Sequence, residues 1–80
     1  MLTIKVLGSG CPNCQKVAAT AKSIVSSLGV EAQILKITEQ SEIMRYNVLA
    51  TPGLVVDEKL VSAGRIPSEA EVTTWVVDAL

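Results

Sequence analysis

Residues 8–17 read GSGCPNCQKV, and this stretch holds both cysteines of the chain within four positions, between an apolar run and a helical pattern. Before it, Leu2 to Leu7 (LTIKVL) opens as an alternation of apolar and polar residues and stops at Gly8-Ser9-Gly10, which predicts a strand running into a loop. From Pro12 the period changes. Val17, Ala18, Ala21, Ile24, Val25 and Leu28 recur at helical steps, while Lys16, Lys22, Ser23, Ser26 and Ser27 fall largely on the other side. That pattern predicts an amphipathic helix over 12–28, stopped by Gly29. A strand, a glycine-rich turn and a helix therefore meet at Cys11-Pro12-Asn13-Cys14.

Downstream, Glu31 to Ile37 (EAQILKI) is rich in branched residues and reads as a second strand, so that strand, helix and strand form a right-handed parallel unit. A short helix is expected from about Glu39 to Tyr46, with Thr38 as its cap, Ile43 and Met44 facing inward, and Asn47 ending it in the left-handed conformation. Leu54-Val55-Val56 and Leu60-Val61 flank Asp57-Glu58-Lys59, the signature of a hairpin whose turn lacks glycine. Ser68-Glu69-Ala70-Glu71 is a capping box, followed by Val72, Trp75, Val76, Ala79 and Leu80 as one apolar face. The predicted order is β-α-β-α-β-β-α in one domain over 1–80, a central four-stranded mixed sheet with helices on both faces. A first strand covered on both sides should be nearly all apolar, yet it carries Thr3 and Lys5; Lys5 is expected near a strand end with its head in solvent.

Composition excludes several classes of function. The 80 residues are 49% hydrophobic but only 2% aromatic, with Tyr46 and Trp75 alone, so the core must be built from Val, Ile, Leu and Ala and there is no stacking platform for bases. Seven basic against eight acidic side chains, with no basic run, offer phosphates no concentrated positive face, and nucleic acid is not an expected partner. No apolar run approaches the roughly 20 residues of a membrane span, and Met1-Leu2-Thr3-Ile4-Lys5 leads straight into the first strand without the pattern of a secretory signal. The expectation is a cytoplasmic monomer without membrane attachment. In a reducing cytosol a structural disulfide is rare, and a loop of two intervening residues restrains the unfolded chain very little, so stapling does not explain the cysteines.

At a helix start, positions three apart share a face, which brings the two sulfurs together. Pro12 suits the first helical position, where no N–H is required. Unpaired N–H groups and the positive end of the helix dipole beside Cys11 favour its thiolate, the form that attacks a disulfide, and Gly8 and Gly10 leave that sulfur open. Cys14, facing inward one turn later, is then the resolving thiol that closes a Cys11–Cys14 disulfide. The chain contains no histidine, which removes Cys/His nucleophilic catalysis. Two alternatives stand beside redox exchange: copper(I) transfer through the two thiolates, and two buried thiols acting as small hydrophobes. A non-catalytic redox sensor would show the same residues.

Ala50-Thr51-Pro52-Gly53 precedes the third strand, and a proline at a strand entry marks a fixed turn. CxxC at the first helix, Thr-Pro opening the first strand of a hairpin, and a terminal helix together resemble the thioredoxin fold. Tyr46-Asn47-Val48-Leu49-Ala50-Thr51-Pro52 with Ala63-Gly64-Arg65-Ile66-Pro67-Ser68 resembles in particular the small, glutaredoxin-sized archaeal and bacterial thioredoxins, the redox-active disulfide proteins. The resemblance implies a protein-disulfide reductase with Cys11 as the exposed nucleophile, Cys14 as the resolving cysteine, and Gly10, Pro12, Asn13 and Pro52 supporting them. It implies that Pro52 is a cis-proline packed against the disulfide and that the Thr51 backbone pairs with an extended substrate segment. No metal and no cofactor beyond the Cys11–Cys14 disulfide is implied. The partners implied are disulfide-containing proteins and a reductase of unspecified type. The chain departs from the family in two places. Gly10 stands where typical thioredoxins carry an aromatic residue, and Lys5 or a neighbour stands where they carry a buried acid.

Overall fold

The computed structural model describes residues 2–8, 12–48 and 50–80. Its elements run β1 (Leu2–Leu7), α1 (Pro12–Leu28), β2 (Ala32–Ile37), α2 (Gln40–Met44), β3 (Gly53–Val56), β4 (Lys59–Ala63) and α3 (Glu69–Asp78). This is the order read from the sequence. The four strands form one sheet in the order β2-β1-β3-β4. β1 lies in its middle, parallel to β2 and antiparallel to β3, so that Ile4 stands in register with Ile34 on one side and Val56 on the other.

The sheet divides the core in two. On one face Leu2, Ile4, Val6, Leu54 and Val56 pack with Cys14, Val17, Ala18, Ala21, Ile24 and Val25 of α1 and Val72 and Val76 of α3. On the other, Leu7 and Val55 meet Ile43 of α2, with Ile37, Tyr46, Val48 and Leu60 around them. A helix of five residues covers only the Leu7 end of that second face. The polar residues of β1 are tolerated for this reason. Thr3 and Lys5 face the part that α2 does not reach.

Lys5 is not near a strand end. It sits in mid-strand opposite Leu35 and Val55, with its side chain 21% exposed. Its Nζ donates to Tyr46 Oη at 2.7 Å and pairs with Glu58 at 2.6 Å, and Tyr46 Oη donates to the other Glu58 oxygen at 3.1 Å. The ammonium group also lies 5.4 Å from the Tyr46 ring centre. This cluster ties β1 to the end of α2 and to the hairpin turn. The hydrogen bonds to Glu58 and Tyr46 raise the Lys5 pKa, and those from Lys5 and Tyr46 lower that of Glu58.

Other boundaries differ in instructive ways. α2 is capped at Glu39 rather than Thr38, with no side-chain cap bond, and it stops at Met44, after which a turn runs to Asn47 at φ 58°. Ile43 is buried as expected, but Met44 points outward at 62% exposure: adjacent helical residues diverge by about 100°, and so short a helix buries a single row. Leu28, the last residue of α1, and Leu80, two residues past the end of α3, are likewise exposed. Lys59 belongs to β4, which leaves Asp57-Glu58 as a two-residue turn with both φ positive, at 47° and 68°. That is the type I′ geometry that matches strand twist. Asp57 supports it, its carboxylate accepting from the Thr3 N–H at 3.0 Å while its own N–H donates to the Thr3 carbonyl at 2.8 Å. The capping box of α3 is complete: Ser68 Oγ accepts from Glu71 N at 3.2 Å and Glu71 Oε1 accepts from Ser68 N at 3.1 Å. Arg65 closes on the same carboxylate with two bonds of 2.9 and 2.6 Å, and these contacts hold the Glu71 pKa down at about 2.

Candidate active site

α1 begins at Pro12, the first helical position expected for a residue without an N–H. Pro12 and Asn13 are exposed, whereas Cys14 turns into the core at 5% exposure and joins the cluster of Ile4, Val6 and Val17. Cys14 is disulfide-bonded. Gly10 and Cys11, with Ser9, lie outside the described residues.

The end of β1 is shaped around Cys14. Gly8 is buried, and its N–H donates to the Ile37 carbonyl at 2.9 Å, which extends the β1–β2 pairing one residue past the strand. A Cβ placed on Gly8 would overlap Cys14 Sγ, and would lie 3.4 Å from Cys14 Cβ and 3.7 Å from Thr51 Cβ. Glycine at this position is therefore a packing requirement: the backbone fills the place of a side chain so that the sulfur can seat against the sheet. The sequence reading assigned Gly8 to the opening of Cys11. The structure gives it a different task, at Cys14, that a Gly-rich loop by itself does not disclose.

Thr51 and Pro52 approach from the other side. The Thr51–Pro52 peptide is cis, Pro52 is buried and Thr51 is exposed. The Pro52 carbonyl accepts from Gly64 N at 2.9 Å, joining the entry of β3 to the turn after β4. Gly64 is held at φ 76°, in the left-handed region where glycine is favoured. Through Gly8, three distant parts of the chain converge on one end of the sheet: the first turn of α1, the end of β1 and the turn before β3.

Lys5 is not part of this convergence. It lies on the Tyr46 face of β1, whereas Cys14 packs on the face of Ile4 and Val6. Lys5, which the resemblance set at or beside the place of the family's buried acid, is thus turned to the opposite side of the sheet. Sequence reasoning missed a different neighbour. A cavity of about 60 Å³ beside Cys14 is lined by Val6, Gly8, Gln15, Lys36 and Thr38, so β2 contributes to the surroundings of the sulfur. The signal was the parity of β2, in which Ala32, Ile34 and Lys36 alternate with Gln33 and Leu35.

Among the described residues no group of three or more His, Cys, Asp or Glu could hold a metal ion, and no helix is long and apolar enough to cross a membrane.

Comparison with known proteins agrees with this geometry. The family described as a thioredoxin domain matches residues 2–77. A thioredoxin of Methanocaldococcus jannaschii is 39% identical over 72 residues, covering 90% of this chain and 83% of its own length. A thioredoxin of Methanothermobacter thermautotrophicus is also 39% identical over 72 residues, covering 90% of this chain and 94% of its own. In fold, the crystal structure of the germline-specific thioredoxin Deadhead from Drosophila melanogaster superposes with a TM-score of 0.68 over 99% of this chain and 81% of that one, at 21% identity. The chain belongs to the thioredoxin family and is a thiol-disulfide oxidoreductase that acts on protein disulfides.

Proposed function

We propose that Cys11 and Cys14 carry this activity as a dithiol/disulfide pair. The Cys11 thiolate attacks one sulfur of a substrate disulfide; a Cys11–substrate bond forms and the substrate's other cysteine leaves as a thiolate, taking a proton from solvent. Cys14 then loses its proton and attacks the Cys11 sulfur. The Cys11–Cys14 bond forms, the second substrate cysteine is released, and two electrons have passed from the protein to the substrate. A reductase returns the pair to the dithiol. The observation that carries this reading is the state of Cys14: buried in the first turn of α1, disulfide-bonded, in a chain with one other cysteine three residues away.

Three further assignments follow from the same end of the sheet. Pro12 starts the helix, and Asn13 and Gly10 are assigned as supporting residues of the cysteine pair. Thr51, exposed beside Gly8, offers its backbone to an extended segment of the substrate, and buried Pro52 holds that backbone in place. A reducing cytoplasm is the compartment in which such a pair cycles, and the chain acts as a monomer. The copper(I) alternative has less support, because the family match over residues 2–77 and both archaeal relatives are thioredoxins.

Reduction of a protein disulfide by the dithiol form, compared with Cys11→Ser, tests the assignment. Loss of essentially all turnover is expected. An unchanged rate in Cys11→Ser removes Cys11 as the nucleophile.

A further inference from the structure

β2 is an edge strand, paired with β1 on one side and with no strand on the other among the described residues. Two bonds fix the direction of its backbone groups. The Glu31 carbonyl accepts from Leu2 N at 3.1 Å and the Ile37 carbonyl from Gly8 N at 2.9 Å, so the odd-numbered residues turn their N–H and C=O toward β1. Ala32, Ile34 and Lys36 therefore present theirs to the open edge. An unpaired row of this kind is a template for another strand.

The same three residues line a groove. With Ala19, Lys22 and Ser26 of α1 they bound an open space of about 490 Å³, several times the cavity beside Cys14 and wide enough for side chains. Lys22 and Lys36 are exposed, and neither makes an ion pair among the described residues, in contrast to Lys5, Arg45 and Arg65. No acid is among the described residues that line the groove. Glu31, just before β2, has the opposite parity to Lys36 and falls on the other face of the sheet, beside half-buried Leu35.

This charge distribution selects the occupant. A second copy joined antiparallel, with Ile34 against its counterpart, would bring both α1 helices to one face and gather two lysines from each copy along the seam with no acid between them. We propose instead that the β2 edge takes up an extended acidic segment of a partner protein as an added strand, with acidic residues on the parity facing α1 and apolar residues on the parity beside Leu35. Ala32, Ile34 and Lys36 supply the main-chain bonds, and Lys22 and Lys36 supply the charge. Gln15 and Lys36 line both the groove and the cavity beside Cys14, so a segment docked here lies next to the cysteine end of the sheet. The surface is separate from the Thr51 turn, which precedes β3 on the far side of β1, and it does not depend on which cysteine attacks.

The test titrates the oxidised, isotope-labelled full chain at low salt with a capped peptide of alternating Glu and Val, long enough to span β2, and follows amide shifts and hydrogen exchange by NMR. The Ala32, Ile34 and Lys36 amides should shift together and gain protection. The Lys/Val counterpart, and a Glu/Val peptide N-methylated along its backbone, should not bind. Lys22→Gln/Lys36→Gln should weaken binding roughly five- to tenfold, the loss of two exposed ion pairs. Lys22→Glu/Lys36→Glu should reverse the preference between the two peptides, and Lys59→Glu on β4, outside the groove, should leave binding unchanged. Absence of β2 amide shifts at about 1 mM peptide, the weak end of specific binding, overturns the proposal. So do equal binding of the N-methylated peptide, equal binding by Lys22→Gln/Lys36→Gln, or shifts confined to the Thr51 turn. Shifts of the same amides with protein concentration alone, matched by a dimer in sedimentation, would assign the edge to a second copy and overturn it as well.

Discussion

Replacing Gly8 by alanine puts one methyl group where Cys14 Sγ sits. The backbone at Gly8 does not itself oppose the change, since φ 159° is close to extended. Everything then depends on whether the neighbours can yield. Cys14 is buried and disulfide-bonded on the first turn of α1, so its sulfur is held, and the Gly8 backbone is pinned to the Ile37 carbonyl. Overpacking of this kind costs about 1–3 kcal/mol. For a domain of this size each kcal/mol lowers Tm by roughly 4–8 °C, so a cost near the middle of that range lowers it by about 8–16 °C. Thermal unfolding followed by circular dichroism, with a urea midpoint as a second probe, measures it. The argument assigns the cost to the sulfur alone. In a Cys14→Ala background the same Gly8→Ala change should cost less than about 0.5 kcal/mol, because the overlapping atom is gone. Equal costs in the two backgrounds, or a cost under about 0.5 kcal/mol in the wild-type background, would refute the claim that Gly8 is required by the seating of Cys14.

Three other outcomes follow from the fold. Ser68→Ala removes the acceptor of the α3 capping box and should destabilise by about 0.5–2 kcal/mol in urea unfolding; no change would mean that Arg65 and Glu71 hold the helix start unaided. Glu71 titrates in the folded protein at about 2, below its ordinary 4.5, so its contribution to stability is complete above about pH 4.5 and is lost as pH falls toward 2. Tm measured against pH should therefore fall less steeply across that window in Glu71→Gln than in the wild type, and parallel curves would count against the pairing with Arg65. Leu54→Ala, at a fully buried position, should cost about 2–5 kcal/mol, whereas Met44→Ala should stay within about 0.5 kcal/mol; a large effect at Met44 would return that side chain to the core.

Most of the architecture was legible because local and tertiary signals agree. The helical period from Val17 to Val25, the capping box at Ser68 and the alternation in β1 each describe surfaces that the sheet then buries. The misreadings occur where burial is decided by reach. Met44, Leu28 and Leu80 carry apolar side chains in helical register, yet no partner surface extends to them. Lys5 was read as needing a strand end, because an all-apolar central strand assumes full cover on both faces; the short α2 leaves half of one face to Tyr46 and Glu58. At the site, the inward turn of Cys14 and the helix start at Pro12 could be read from residue type and spacing, and the cis Thr51–Pro52 peptide from the resemblance to thioredoxins. Gly8 and Lys36 could not, since their significance comes from a close approach and from a cavity shared with another strand.

The central claim is the division of labour between the two cysteines. Incubating reduced Cys14→Ser protein with an oxidised protein substrate, and resolving the products by non-reducing electrophoresis and mass spectrometry, tests it most directly. A covalent adduct joined through Cys11 should accumulate and persist, because the thiol that would release it is missing, while Cys11→Ser should form none. An adduct through Cys14 in the Cys11→Ser protein, or full turnover by Cys14→Ser without a trapped intermediate, would contradict the account.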